Sequence, residues 1–272
     1  MEMINSQKER NDNMSNNSLK ITFLGTCACD FSKKLQNEFR DCFDVDARRS
    51  SAMMIDDEYL VDCGVHTLDS LRIANKDTAK ITDIFITHLH WDHYNRDHIA
   101  KIAEDHAVRL WVREDASIEP IQNVTIVKMK LFEKYEVTEG FFVTGMVANH
   151  DIITYPQHFI FEKDGKKVFY GCDGGWLINL TYNFLRDQKL DLAVLDCTMG
   201  DYDGDFRIGE HNGIPMIRLL IPSLKTIGAI TDETEIYLSH LAPSLHKPHT
   251  ETTEIVARFG AKVAYDGLCV EI

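Results

Sequence analysis

The spacing of apolar and polar positions divides the chain into many short β-like runs and a few helical stretches. The runs fall at 20–24, 52–55, 59–62, 84–87, 108–112, 125–127 and 141–144, then at 159–161, 168–170, 192–195, 235–238, 263–264 and 269–272. Helical spacing is confined to 98–104, 177–186, 214–220 and 250–259, the last opening on the capping signal Thr-Glu-Thr-Thr-Glu. Strands come in groups with helices between the groups, and no Pro/Gly/Ser-rich linker interrupts the chain after residue 19. One α/β domain over 19–272, with sheet packed on sheet and helices outside, is the expected architecture. Residues 1–18 are rich in Asn, Ser, Lys and Glu without periodicity and read as a flexible tail. No short-period repeat is apparent.

Composition narrows the function more than the fold. At 272 residues and 44% hydrophobic content the chain has enough apolar material for a sizeable core. No apolar run reaches the roughly 18 residues of a membrane helix, and the first segment is polar where a secretory signal would be apolar, so a cytoplasmic, non-membrane protein is expected. The net charge of −14 disfavours a long nucleic acid as partner. Bound divalent cations would still make one cleft locally positive, so a small anionic substrate fits. Seven cysteines, an odd number, point to thiols or metal ligands rather than a disulfide framework.

The chemistry concentrates in Ile86-Thr87-His88-Leu89-His90-Trp91-Asp92-His93, directly after an apolar run. On an extended backbone His88 and His90 share a face and chelate one ion, while Asp92 and His93 turn toward a second. Imidazole with carboxylate, and no thiolate nearby, suits Zn²⁺, Mn²⁺ or Fe²⁺. His150, Asp173 and His240 each follow a β-like run and are what a two-metal site would still lack. His98 and His106 sit in or beyond a helical stretch and read as packing histidines.

These motifs resemble the metallo-β-lactamase-fold hydrolases over residues 19–272: His88-Leu-His90-Trp-Asp92-His93 matches their HxHxDH signature, and Leu60-Val-Asp62-Cys-Gly64 their buried Asp-x-Gly turn. The resemblance implies a four-layer αββα sandwich and two divalent cations. His88, His90 and His150 would bind one, Asp92, His93 and His240 the other, with Asp173 bridging. It also implies a homodimer. One departure is that Tyr94-Asn95-Arg96 stands where the family often has glycines.

Two cations about 3.5 to 4 Å apart lower the pKa of a water between them and hold the oxygen of an electrophile, which suits a phosphodiester, a thioester or a lactam. Asp196-Cys-Thr198, followed by His211 before a helix, is similar to the phosphodiesterase branch. That branch includes phosphoribosyl 1,2-cyclic phosphate phosphodiesterase and, more distantly, ribonuclease Z. His211 and Asp92 are therefore the candidate catalytic side chains, and His211 with Lys247 the candidate substrate contacts. The expected reaction is hydrolysis of a small cyclic or nucleotide-like phosphodiester by metal-bound hydroxide, with His211 protonating the leaving oxygen. The alternatives are a thioester or lactone hydrolase, an RNA-processing nuclease, and a non-catalytic binding protein of the same fold. Cys27, Cys29 and Cys42, with His246 or His249, are candidates for a structural zinc; free thiols are the other reading.

Overall fold

The computed structural model describes residues 18–272; apart from Ser18, the tail expected over 1–18 lies outside the described residues. The first half of the chain supplies β1 (Lys20–Gly25), β2 (Ala52–Ile55), β3 (Tyr59–Val61), β4 (Asp83–Phe85), β5 (Val108–Arg113) and β6 (Val124–Met129). The second supplies β7 (Lys134–Thr138), β8 (Phe141–Val147), β9 (Gln157–Lys163), β10 (Lys166–Gly171), β11 (Leu190–Asp196), β12 (Ile230–Ser239) and β13 (Lys262–Val263), before β14 (Cys269–Glu271) returns to β1. The helices are α1 (Lys33–Asn37), α2 (Thr67–Ile73), α3 (Arg96–Ile102), α4 (Asn179–Phe184), α5 (Ile214–Thr226) and α6 (His249–Ala257).

Two seven-stranded sheets result, in the orders β14-β1-β2-β3-β4-β5-β6 and β13-β12-β11-β10-β9-β8-β7. Read from β14, three antiparallel pairings are followed by three parallel ones. Read from β7, the second sheet shows the same sequence of pairings.

Three apolar layers hold the sheets and helices together. Phe23, Phe85, Phe141, Phe159, Phe161 and Val194 fill the space between the sheets, where Phe85 meets Phe161 edge-on at 5.1 Å. Met54, Leu60, Ile84 and Leu110 face Leu71 of α2 and Ile99 of α3. Phe169, Ala193 and Leu238 face Ile217, Leu220 and Leu224 of α5 and Val256 of α6. This is the expected αββα sandwich, and it explains why the parallel strands read as continuous apolar runs: both of their faces are buried.

The differences from the sequence reading have local causes. β7 is a charged edge strand with one buried residue, so it carries no apolar alternation to detect. α1 and α2 are too short for periodicity to show. α5 runs past Pro222 because Ile217, Leu220, Ile221 and Leu224 are all buried beneath it. The capping box expected near 250 does not form: α6 starts after Pro248 without a side-chain cap. No helix among the described residues is long and apolar enough to cross a membrane.

Candidate metal centre

Loops at the carboxyl ends of the strands meet at one edge of the sandwich and bring the sequence-distant histidines together. The segment after β4 does not continue as a strand. It curls, with His93 N–H and Tyr94 N–H both donating to His90 O (2.9 and 2.7 Å). The expected extended chelate is thus replaced by a turn that carries His88, His90, Asp92 and His93 inward. Gly64 makes the turn possible, since a Cβ there would lie 1.6 Å from the Asp92 carbonyl oxygen. Where the family often has glycines, Asn95 instead caps α3, its side chain accepting from Asp97 and His98 N–H.

His88, His90, His150 and Asp173 form one group of donors within 4.8 Å of one another, and Asp92, His93 and His240 form another. Asp173 reaches both. Its Oδ2 lies 3.2 Å from His240, 3.5 Å from His150, 3.7 Å from His88 and 3.8 Å from His93. Burial would raise this carboxyl, but His240, His211 and His150 hold it well below the usual carboxylate range.

The tautomers are fixed from behind. Asp62, fully buried at a left-handed φ of 63°, accepts from Thr87 N–H (2.8 Å), Thr87 Oγ1–H (2.9 Å) and His93 Nδ1–H (2.8 Å). The Thr87 hydroxyl in turn takes Nδ1–H of His88 at 3.0 Å. Asp196 and Thr198 repeat the device: Thr198 Oγ1 donates to Asp196 (2.9 Å) and takes Nδ1–H of His240 (2.8 Å). In each case Nε2 is left facing the site with a lone pair. Burial pushes His88 and His150 down, toward the neutral form that ligates. Burial also pulls on His93, but Asp62 and Asp92 lift it to about 9 in the cation-free chain.

The donor set fits a divalent cation. His88 Nε2 and His150 Nε2 lie 2.9 and 3.1 Å from His90 Nδ1. Ligand nitrogens in a tetrahedral zinc site are about 3.3 Å apart, from the Zn–N length. Lone pairs aimed at one point repel, and a cation at that point converts the repulsion into ligation. Asp173 Oδ1 and His150 Nδ1, both buried, have no hydrogen-bond partner.

His211 stands beside this cluster, with Nδ1 2.8 Å from Asp173 Oδ1, 3.1 Å from Thr198 Oγ1 and 3.4 Å from Asp196 Oδ2. Burial opposes its charge, but Asp173 and Asp196 overcome this and raise it to about 11. The cleft above measures about 350 Å³ and is walled by Cys29, Asp30, Trp91, Arg207, Glu210 and Leu245, among others.

Lys247 does not line this cleft; it borders a neighbouring cavity, because the chain crosses from Ser244 and Leu245 on the cleft side to His246 and Lys247 on the other. The basic side chain on the cleft is Arg207, paired with Asp205 at 2.7 Å. Nor do Cys27, Cys29 and Cys42 form a zinc set. Cys27 is buried beside Ser50 and Leu241, Cys29 faces the cleft and Cys42 is exposed. No cysteine joins a cluster of metal-type donors among the described residues. His98 and His106 bond to the carbonyls of Gly64 and Ile81, as packing histidines do. The sequence reading missed the supporting hydroxyl of Thr87 and the places of Arg207 and Glu210 on the cleft wall. One signal was available for Thr87: it follows β4 at the offset at which Thr198 follows β11.

Comparison with known proteins agrees with this geometry. Residues 58–265 match the profile described as "Beta-lactamase superfamily domain", and residues 19–96 match one described as "Anti-Pycsar protein Apyc1". No curated protein sequence matches the chain. Among solved structures, the metallo-β-lactamase fold protein YhfI from Bacillus subtilis is 16% identical and superposes with a TM-score of 0.72 over 94% of this chain and 99% of its own. A diphosphatase from the PhnP family is 19% identical, with a TM-score of 0.70 over 94% and 97%. Human tRNase Z, short form, is 18% identical, with a TM-score of 0.64 over 92% and 98%. At such identities these structures speak to the fold, while the profile spans most of the chain: the protein belongs to the β-lactamase superfamily and has the metallo-β-lactamase fold.

Proposed function

We propose that the chain is a phosphodiesterase holding two divalent cations, Zn²⁺ or Mn²⁺, and that it cleaves a small cyclic or nucleotide-like phosphodiester. His88, His90 and His150 would hold one cation and Asp92, His93 and His240 the other, with Asp173 between them. When bound, the cations supply Lewis-acid activation of water and of the phosphoryl oxygens.

The chain's own residues carry the rest. The observation behind the reading is His211, whose Nδ1 is hydrogen-bonded to Thr198 and Asp196 and lies at ion-pair distance from Asp173, while its ring lines the cleft. Nε2–H then faces the substrate as a proton donor. Positive charge bound by Asp173 would oppose the lift that the two carboxylates give His211, lowering its pKa in the direction a general acid needs. An alkoxide leaving from phosphorus needs that proton; hydrolysis of a thioester does not. Arg207 offers a positive charge to a phosphoryl oxygen. Trp91 is 56% exposed and braced edge-on by Phe31 at 5.7 Å, offering a flat face to a planar group. Asp30, its Oδ2 occupied by Ser244, keeps Oδ1 without a partner and suits a sugar hydroxyl or a ring N–H.

The test strips the protein with chelator, restores Mn²⁺ or Zn²⁺, and compares His211→Ala with the parent on two diesters. Turnover of an alkyl diester should fall by about 10²–10⁴-fold, while bis(p-nitrophenyl) phosphate, whose leaving group needs no proton, should fall far less. Full turnover of the alkyl diester by the variant removes His211 from this role. Activity confined to thioesters and lactones removes the phosphodiesterase reading altogether.

A further inference from the structure

Lys247, His246 and His249 play no part in the metal cleft, yet they gather at a second cavity of about 280 Å³. The two cavities share a wall: Ala242, Ser244 and Leu245 face the cleft, whereas Leu241, Pro243 and His246 face the second space. Lys34, Arg48 and Lys247 border it against a single carboxylate, Asp46. Among the described residues none of the three cations makes an ion pair, although most other Lys and Arg side chains do. In a chain of net charge −14 this is a marked local reversal of sign.

Arg48 is the built part of the site. It is 4% exposed, and its guanidinium gives its hydrogen bonds to neutral acceptors: Thr26 Oγ1 and Ala264 O, both at 2.6 Å, and His249 Nδ1 at 3.0 Å. The nearest buried carboxylate, Asp266, is engaged by Thr26 Oγ1–H and Arg49 N–H instead. The positive charge of Arg48 is thus held under the cavity floor without a directly bonded anion. Helix α6 adds to the field, since it begins at the cavity wall with no side-chain cap. Asp46 answers it only in part, accepting from His249 N–H at 2.7 Å.

His246 sharpens the identity of the missing partner. Its Nε2–H donates to Cys197 O at 2.8 Å, which leaves a lone pair on Nδ1, and that atom is buried without a partner. The cations call for negative oxygens and Nδ1 calls for a hydrogen-bond donor. Hydrogen phosphate supplies both, because it is an anion that keeps one O–H near neutral pH.

We propose that this cavity is a second, metal-independent oxyanion site selective for hydrogen phosphate, with Lys34, Arg48 and Lys247 supplying charge and His246 accepting the phosphate O–H. Its occupant braces the 241–246 segment from the side opposite the cleft. The proposal does not rest on the phosphodiesterase reading.

The experiment titrates the full chain with inorganic phosphate by calorimetry, using the metal-loaded parent, Asp173→Asn stripped of metal by chelator so that its metal centre takes no phosphate, and the metal-loaded double variant Lys34→Gln/Lys247→Gln. Both lysines are exposed, so the double variant should fold. Asp173→Asn should retain one phosphate, and the double variant should weaken that binding by about tenfold or more, as expected for two lost charged contacts. Loss of all phosphate binding in Asp173→Asn, or unchanged binding in the double variant, overturns the site. Sulfate, which has no proton to give, should bind about tenfold more weakly than phosphate. Equal affinities overturn the assignment of His246 as the selecting contact.

Discussion

The two halves of the molecule use the same strand pairings to opposite ends. In the first half a turn after β3 buries Asp62 behind the site, where it holds Thr87 and His93. In the second half the equivalent turn, after β10, aims Asp173 into the cleft among four histidines. The supporting task then passes to Asp196 at the end of β11, which works through Thr198 as Asp62 works through Thr87. Each half therefore owns one Asp-Thr pair that fixes an inward-facing imidazole, but only in the second half does the turn itself aim a carboxylate, Asp173, at histidines of both donor groups. The first half compensates by packing four donors into a single loop. Near-equal backbones thus leave the division of labour to be decided by which strand end carries the acid.

The largest effect expected from this asymmetry is at Asp173. Asp173→Asn should lower turnover by at least about 10³-fold, beyond the 10–100-fold typical of a residue that only supports a ligand, and metal analysis should show one or both cations lost. A loss within the supporting range would place Asp173 beside Asp62 and remove the contrast.

Another buried carboxylate, Asp266, belongs to neither pair and should register in stability alone. Burial raises it, against Arg48, the Arg49 N–H and Thr26, to about 6 from an ordinary 3.8. The folded state therefore keeps this proton to higher pH than the unfolded state does. Stability from this group is greatest below 3.8, falls as pH rises toward 6, and is level above that. A shift of that size corresponds to about 3 kcal/mol. Measured by denaturant unfolding, the stability of the parent relative to Asp266→Asn should decline by about that amount between pH 4 and 7, with metal content unchanged. A flat difference would show that Asp266 ionises freely in the fold.

The supporting aspartates come next, at about 10–100-fold in metal affinity each. Asp62→Asn presents an N–H₂ to His93 Nδ1, favouring the tautomer that protonates Nε2 and blocks ligation. Asp196→Asn does the same to His240 and also weakens the hold on His211. The two variants should lose metal alike, but only Asp196→Asn should lose turnover of an alkyl diester more than of a p-nitrophenyl diester once metal is saturating. Identical profiles would mean that Asp196 does not act through His211.

This division of labour also explains what was legible in the sequence. The first half's ligands sit within six residues, so contiguity alone gave them away. His150, Asp173 and His240 each looked like an ordinary loop residue, and only the strand order brings them within reach of that loop. All thirteen β-like runs begin within a residue of a strand's start or lie inside one, because burial on both faces leaves apolar stretches; β12 nevertheless starts earlier than its run, at Ile230, through the polar 231–234 segment that has no such signature. Asp62 and Asp196 were visible as residues but not as partners of His93 and His240, because a hydrogen bond between neighbouring strand ends has no fixed sequence spacing. Lys247 was misplaced for a similar reason: closeness in sequence to His240 does not tell which side of the 241–246 turn a side chain takes.

The smallest effect separates two exposed tryptophans, one beside each half's acidic ligand candidate. Trp91 precedes Asp92 and lines the cleft, whereas Trp176 follows Asp173, is 40% exposed and does not line it. Replacing either by Leu should leave folding intact, since neither belongs to a buried apolar layer. Trp91→Leu should raise KM for a diester bearing a planar ring by about five- to tenfold with kcat nearly constant, the cost of one stacking contact of about 1 kcal/mol. For a diester with only alkyl groups the same variant should behave as the parent does. Trp176→Leu should change neither substrate. If both tryptophans matter equally, the planar group spans the two halves instead of lying against the first, and the loop after β4 would not be the one that reads the substrate.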